Sequence, residues 1–259
     1  MSVAFDDKRR SVREQVSDEE WQLRVDLAAC YRAVAMFGWD DLVFTHISVR
    51  VPGPEHHFLI NPYGLMFDEI TASSLVKIDL DGNIVLDNGY TVNEAGFVIH
   101  SAIHMSRDDA QCVLHLHTDQ GIAVSAQKDG LRPISQQAAT LIDDLAYHDY
   151  EGIAVDLGER ERLVADIGDK HFMILRNHGT LTVGNTVGDA FLRMYTLERA
   201  CKAQVMALAG GVETITTSDE SVRKAGELMR SGIESGAITE LAWPAILRKL
   251  DREDPTYRD

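Results

Sequence analysis

The residues best suited to chemistry are two histidines that alternate with a leucine in Val113-Leu114-His115-Leu116-His117-Thr118. On a strand, residues two apart point to the same side, so His115 and His117 would present their imidazoles together. A third histidine lies in Ile174-Leu175-Arg176-Asn177-His178-Gly179, where His178 occupies a tight connection between two apolar runs. Three imidazoles on one side of a site leave further coordination positions open to substrate oxygens or water. A Lewis-acid metal needs that arrangement for catalysis. The spacing alone also admits a simpler reading, in which each histidine is a hydrogen-bonded core or turn residue.

Other groups bear on proton transfer and binding. Glu94 stands at the start of an expected helix, where a carboxylate could be a fourth ligand, a general base, or an acid favoured by the helix dipole. His100 and His104 are four apart on that helix, and core or ligand-supporting roles suit them better than ligation. Tyr147 and His148, in Ala146-Tyr147-His148-Asp149-Tyr150, could reach a neighbouring subunit's pocket from a loop, although turn packing is the plainer reading. Asn61, Tyr63 and Gly64 end a strand in a loop whose N–H groups could hold a substrate oxygen or anion. The chain has no Walker loop, dinucleotide fingerprint, GxSxG elbow or catalytic-cysteine context.

These residues need elements to position them. Residues 1–16 read as a polar arm, and Ser17 with Glu20 as a capping box opening a helix that ends near Gly38. Strands follow at Leu42–Val51 and Phe58–Asn61, a short helix at Asp68–Leu75, and a hairpin through Asp81-Gly82-Asn83. A helix from Glu94 leads to the strand carrying His115 and His117, then a helix at Gln120–Ala126 and a helical run opened by Pro133. A short strand is expected at Ile153–Val155, a helix at Glu159–Ile167, and strands on either side of His178. Val187–Leu208 has the spacing of a core-facing helix. Two helices, about Ser218–Arg230 and Glu240–Leu250, finish residues 212–259, with a polar tail fraying from Asp251. The pattern predicts a single domain over 1–259, an α/β sandwich with a largely antiparallel sheet covered by helices.

Composition limits the partners. The chain has 259 residues, 45% of them hydrophobic and 25% charged, with a net charge of −16. Without a basic excess, nucleic acid and anionic membrane are disfavoured. Cys30, Cys112 and Cys201 are scattered, which suggests reduced thiols and a cytoplasmic protein rather than a disulfide or thiolate-zinc framework.

Taken in order, FGWDDLVFTHISVRV, EHHFLINPYGL, ITASSLVKIDL, VNEAGFVIHSAIH, VLHLHT, AYHDYEGI and ILRNHG resemble the class II aldolase/adducin family over Trp21 to Gly211, most closely its adducin-head branch. The resemblance implies a three-layer α/β/α sandwich and a cyclic homotetramer with active sites between subunits. It also implies a divalent metal on His115, His117 and His178, usually Zn2+. Fe2+ or Mn2+ would suit the same donors, since imidazoles alone do not choose the metal. In the family's sugar-phosphate aldolases the metal polarises a carbonyl and stabilises an enediolate.

Two departures qualify the match. Counted back from the HxH pair without a gap, the aldolases' catalytic glutamate falls on Gly96. Glu94 is two residues early, about 200° around a helix. The phosphate-binding serine-glycine-asparagine loop is replaced by Phe44-Thr45-His46-Ile47, leaving His46 at the substrate end. The leading expectation is a metal-dependent carbon–carbon lyase acting on a small hydroxylated carbonyl compound that need not be phosphorylated. An alternative keeps the three histidines for an iron or manganese decarboxylase or oxygenase. Another is a non-catalytic adducin-like assembly domain, although the chain ends at Asp259 without the lysine-rich tail by which adducins bind the membrane skeleton.

Overall fold

The computed structural model describes residues 11–152 and 157–259, apart from the side chains of residues 94–98 and 157. Strands β1 (His46–Arg50), β2 (Phe58–Ile60), β3 (Val76–Ile78), β4 (Ile84–Leu86), β5 (Cys112–Leu116), β6 (Leu145–His148), β7 (Phe172–Leu175) and β8 (Gly179–Gly184) form a sheet of order β4-β3-β2-β1-β5-β8-β7-β6. The β6–β7 pair is parallel and the other pairs are antiparallel. The helices are α1 (Val12–Gln15), α2 (Asp18–Met36), α3 (Glu94–Ser106), α4 (Asp119–Ser125), α5 (Gln136–Leu141), α6 (Leu157–Ile167), α7 (Val187–Leu208), α8 (Asp219–Glu234) and α9 (Thr239–Glu253).

Alternation along the central strands sorts the layers. On β5, Cys112, Leu114 and Leu116 join Ile47 and Val49 of β1 in a core with α2 and α7. Val113, of opposite parity, joins Leu181 and Val183 of β8 and Ile99 and Ile103 of α3 in a second core that includes Leu163 and Ile167 of α6. The sheet therefore lies between α3/α6 and a layer built on α2 and α7. His115 shares Val113's parity, so it faces the α3 side. This is the expected three-layer sandwich.

Local chemistry explains the element ends. The Ser17 side chain accepts from the Glu20 N–H, so α2 is capped as expected. The reciprocal half of the box is not made. Buried Glu20 instead accepts from Arg24 at 3.0 Å and from Lys77 at 2.7 Å. Arg24 is fully buried and also donates to the carbonyls of Ala72 and Leu75, tying α2 to the segment before β3.

Several expectations need correction. The stretch expected to be helical from Asp68 is one 3-10 turn, Phe67–Glu69, followed by a Thr71–Ser74 turn closed by side-chain bonds. The helix expected after Pro133 starts only at Gln136, because Ser135 caps it through the Ala138 N–H. Tyr147 and His148 lie on β6 rather than in a loop. The tail does not fray at Asp251. Helix α9 runs to Glu253, a 3-10 turn follows, and the fully buried Tyr257 accepts from the Ala72 N–H through its carbonyl. The strand expected at Ile153–Val155, and residues 1–10 of the expected arm, lie outside the described residues.

Candidate metal centre

The site sits where β5 and β8, neighbours at the middle of the sheet, meet the turn at 176–178. His115 is on β5, and His117 follows one residue beyond the strand's end. His178 reaches the same point because the chain reverses between β7 and β8. Asn177 takes the left-handed conformation (φ 55°), and the His178 N–H bonds the Leu175 carbonyl at 3.1 Å. Asparagine adopts that conformation at less cost than most residues.

The three imidazoles face one another. Ring centroids are 4.7 Å apart for His115 and His117 and 4.8 Å apart for each of the other pairs. One ring nitrogen from each lies within 4.8 Å of the others. Outer partners orient two of the rings. His115 Nδ1 is 2.9 Å from the Thr180 carbonyl, and His117 Nδ1 is 3.1 Å from Asp41 Oδ2. Carbonyls and carboxylates only accept, so both Nδ1 atoms carry the proton. The two Nε2 lone pairs then confront each other at 3.0 Å.

A shared proton or a metal ion would relieve that repulsion, and the surroundings disfavour the proton. Burial, followed by the charges of His178 and His117, holds His115 well below its ordinary value. Burial and His117 bring His178 down to about 4. Neutral imidazoles with Nε2 free and Nδ1–H tied to oxygen are what a divalent cation requires of histidine ligands. The donor set fits a metal.

Close backbone approach fixes one more residue. A Cβ on Gly179 would stand 2.3 Å from the Leu116 carbonyl oxygen and within 3.4 Å of the His117 and His115 rings. We therefore expect Gly179→Ala to cost about 1–3 kcal/mol of stability and to weaken metal binding. Denaturant melts and metal titration test this, and unchanged values for both would show that the turn has slack.

Comparisons with known proteins establish the family. Residues 25–205 match the family model described as "Class II Aldolase and Adducin N-terminal domain". The chain belongs to the class II aldolase and adducin family. A Caulobacter vibrioides protein provisionally named as an aldolase class 2 protein is 58% identical, over 96% of each chain. Mouse alpha-adducin is 45% identical over 88% of this chain, which spans 33% of the adducin's length. Among solved structures, an aldolase II superfamily protein from Pseudomonas syringae superposes with a TM-score of 0.92 at 54% identity, covering 96% of this chain and 100% of that one. An L-fuculose 1-phosphate aldolase from Glaciozyma antarctica gives a TM-score of 0.79 at 29% identity, covering 93% of each.

Within this family frame, the other expected site residues fall into groups. His46 lies beside His115 across the β1–β5 pairing. It is buried, and its Nδ1 is 3.1 Å from Asn61 Oδ1, which also takes the Tyr31 hydroxyl at 2.9 Å. Among the described residues Asn61 Nδ2 and Thr45 Oγ1 are buried without a hydrogen-bond partner, so this corner retains polar capacity. Tyr63 is half exposed, and Gly64 takes φ 97°, so the loop after Asn61 turns outward as a surface turn. The Glu94 side chain lies outside the described residues.

Tyr147 and His148 are committed elsewhere. The Tyr147 hydroxyl accepts from the Leu131 N–H at 3.0 Å, and its ring lies under the Arg176 guanidinium. His148 is buried, with Nδ1 2.7 Å from Asp166. Both side chains are thus held within this chain, although His148 Nε2, 3.5 Å from Glu159 Oε1, makes no hydrogen bond among the described residues. Tyr150, two residues on, is 54% exposed, and its ring centroid is 6.4 Å from that of His178.

His100 and His104 are core residues. His104 Nδ1 donates to the Ala110 carbonyl at 2.6 Å, so its Nε2 accepts the Ser48 hydroxyl at 2.7 Å. Ser48 Oγ then accepts from His100 Nδ1, also at 2.7 Å. One carbonyl thus sets the tautomers of both rings.

Sequence reasoning missed Asp41 and Thr180. Asp41 stands in Trp39-Asp40-Asp41, directly after the glycine that ends α2. Two acids in that turn are the signal, but nothing local shows which of them meets His117. Asp41, His117, Trp39, Tyr195, Arg199 and Lys202 line part of a cavity of about 340 Å³ beside the centre.

Proposed function

We propose that the protein is a metal-dependent carbon–carbon lyase of the class II aldolase type, acting on a small hydroxylated carbonyl compound that need not be phosphorylated. One observation carries the reading: the Nε2 atoms of His115 and His117 converge with His178 while oxygen acceptors hold the Nδ1 protons of the first two. A divalent cation bound there supplies Lewis acidity toward a carbonyl and stabilises the charge that develops on its oxygen. We assign Zn2+ as the resident ion, with Fe2+ or Mn2+ compatible with the same donors.

The chain's own residues have separate tasks. Thr180 and Asp41 keep the two imidazoles in the ligating tautomer. His46 and Asn61, at the buried polar corner beside His115, hold oxygens of the substrate. Glu94 is the proposed proton-transferring carboxylate, and Tyr150 is placed to protect or protonate the open side. A homotetramer with sites between subunits, in the cytoplasm, completes the proposal. Among the described residues no helix is long and apolar enough to cross a membrane.

A second reading has its own support. The 45% identity to alpha-adducin leaves an assembly role on the same fold open, although the 58% identical Caulobacter vibrioides relative carries the aldolase name. One experiment separates the two. Protein purified without chelator is assayed for metal content and for aldehyde release from a panel of hydroxylated ketones, with and without phosphate. We expect aldehyde release that a chelator abolishes and added metal restores. An assembled protein that holds no metal and cleaves nothing would favour the assembly role.

A further inference from the structure

We propose that Glu198 is a positioning residue for the metal centre, acting from α7 by clamping the segment that follows β5 to β8 through Thr118 and Thr180. The inference rests on the metal reading of the three histidines.

Leu181 and Val183 of β8 lie in the core with α3, so Thr180 and Thr182 point toward α7. Thr182 Oγ1 accordingly bonds the Ala190 carbonyl of α7 at 3.0 Å. Glu198 is on α7, 2% exposed, and meets Thr180 on that side. Thr180 Oγ1 donates to Glu198 Oε1 at 2.9 Å. Thr118 accepts the Gly121 N–H as the N-cap of α4, so its own proton goes to Glu198 Oε2, at 2.5 Å. Each carboxyl oxygen therefore holds a hydroxyl from a different segment.

Those two threonines are next to the ligands. Thr118 directly follows His117. Thr180 lies two residues after His178, and its carbonyl receives the His115 Nδ1–H. Displacing Glu198 would let both segments move, carrying all three imidazoles with them. Such outer partners fix ligand orientation in metal sites generally.

Two further observations point the same way. Among the described residues no lysine, arginine or histidine forms an ion pair with Glu198, although a buried carboxylate is costly without a compensating charge. Burial pushes the Glu198 carboxyl up, and a divalent cation on the three histidines would favour its ionised form. The chain is also unusually close at this point. A Cβ on Gly121 would lie 2.7 Å from Thr118 Oγ1, 2.9 Å from Thr180 Cγ2 and 3.1 Å from Glu198 Oε1. Only a residue without a side chain lets α4 close over the clamp.

The test uses full-length protein, stripped of metal and titrated with Zn2+ against a chromophoric chelator. We expect Glu198→Gln to weaken zinc binding about 10–100-fold and to shift the visible absorption of the cobalt-loaded protein. Thr180→Val should act in the same direction, Thr180→Ser should restore binding, and the Glu198→Gln/Thr180→Val pair should lose no more than the worse single variant. Wild-type affinity and cobalt spectrum in a folded Glu198→Gln protein would overturn the proposal. Additive losses with an unchanged spectrum would also overturn it, making Glu198 a residue of general stability. If Glu198→Gln does not fold, Thr180→Val against Thr180→Ser decides by the same criteria. A wild-type protein that takes up no zinc refutes the metal reading itself, whereas zinc uptake indifferent to these variants refutes only the clamp.

Discussion

Replacing His117 with alanine is expected to lower metal affinity by more than the ~10–100-fold that loss of an outer hydrogen-bond partner costs. The variant removes one of three donors and also frees Asp41, whose only described partner is that imidazole apart from the short turn bridge to Phe44. His115→Ala should have at least the same effect on metal, with a larger penalty in stability. That ring is 95% buried and fills the face shared by β5 and β8. The measurement is metal per protein after exhaustive dialysis, together with the zinc titration of the stripped protein. Full metal occupancy in a His115→Ala/His117→Ala protein would refute the three-histidine centre and the lyase built on it.

Acid sensitivity is the second large effect. Burial brings His104 down to about 3, and burial also holds His100 well below its ordinary value. These groups are neutral in the folded chain and titrate near 6.5 once unfolded. The sign follows from proton counting. Between 6.5 and the folded value the unfolded chain binds more protons, so stability falls as pH falls through that window. For His104 the full difference is on the order of 5 kcal/mol. His100, Ser48, Arg50 and the Phe58 ring surround it and give its cation no carboxylate partner among the described contacts. We expect the urea midpoint of the metal-free protein to drop steadily from pH 6.5 to 4.5. His104→Asn, which retains a donor for the Ala110 carbonyl, should flatten that slope. A midpoint that does not move over this range would show that the two rings open to solvent without unfolding.

The sequence made some of this architecture legible and hid the rest for physical reasons. The alternation in Val113–His117 placed the imidazole pair on one side of a strand, because period-two geometry depends on local backbone alone. The long apolar periodicity of Val187–Leu208 likewise marked α7 to the residue. Contacts brought by tertiary packing were not legible. Asp41 reaches His117 only through a turn in which Leu42 and Thr45 take positive φ, and neither residue type announces that conformation. Glu20 looked like half of a capping box, but a buried arginine one turn along claims its carboxylate. The polar tail looked mobile, yet Tyr257 and Asp259 accept the N–H groups of Ala72 and Ser73, a pairing of residues far apart in sequence. Tyr147 and His148 looked like loop residues, but they lie on β6, where the Leu131 N–H holds the Tyr147 hydroxyl and Asp166 holds His148 Nδ1.

The central position of β5 and β8 has a kinetic consequence. His115 and Thr180 are 65 residues apart in the chain, so the ligand cluster forms only after a long loop has closed. No local fragment contains it, so a metal ion held there would favour the complete sheet over any partly folded state. Occupancy should therefore slow global opening. Amide hydrogens of Val113, Leu114, Leu181 and Thr182 should exchange most slowly of all in the loaded protein and accelerate together when the metal is withdrawn. Those of the outlying hairpin β3–β4 should keep their rates.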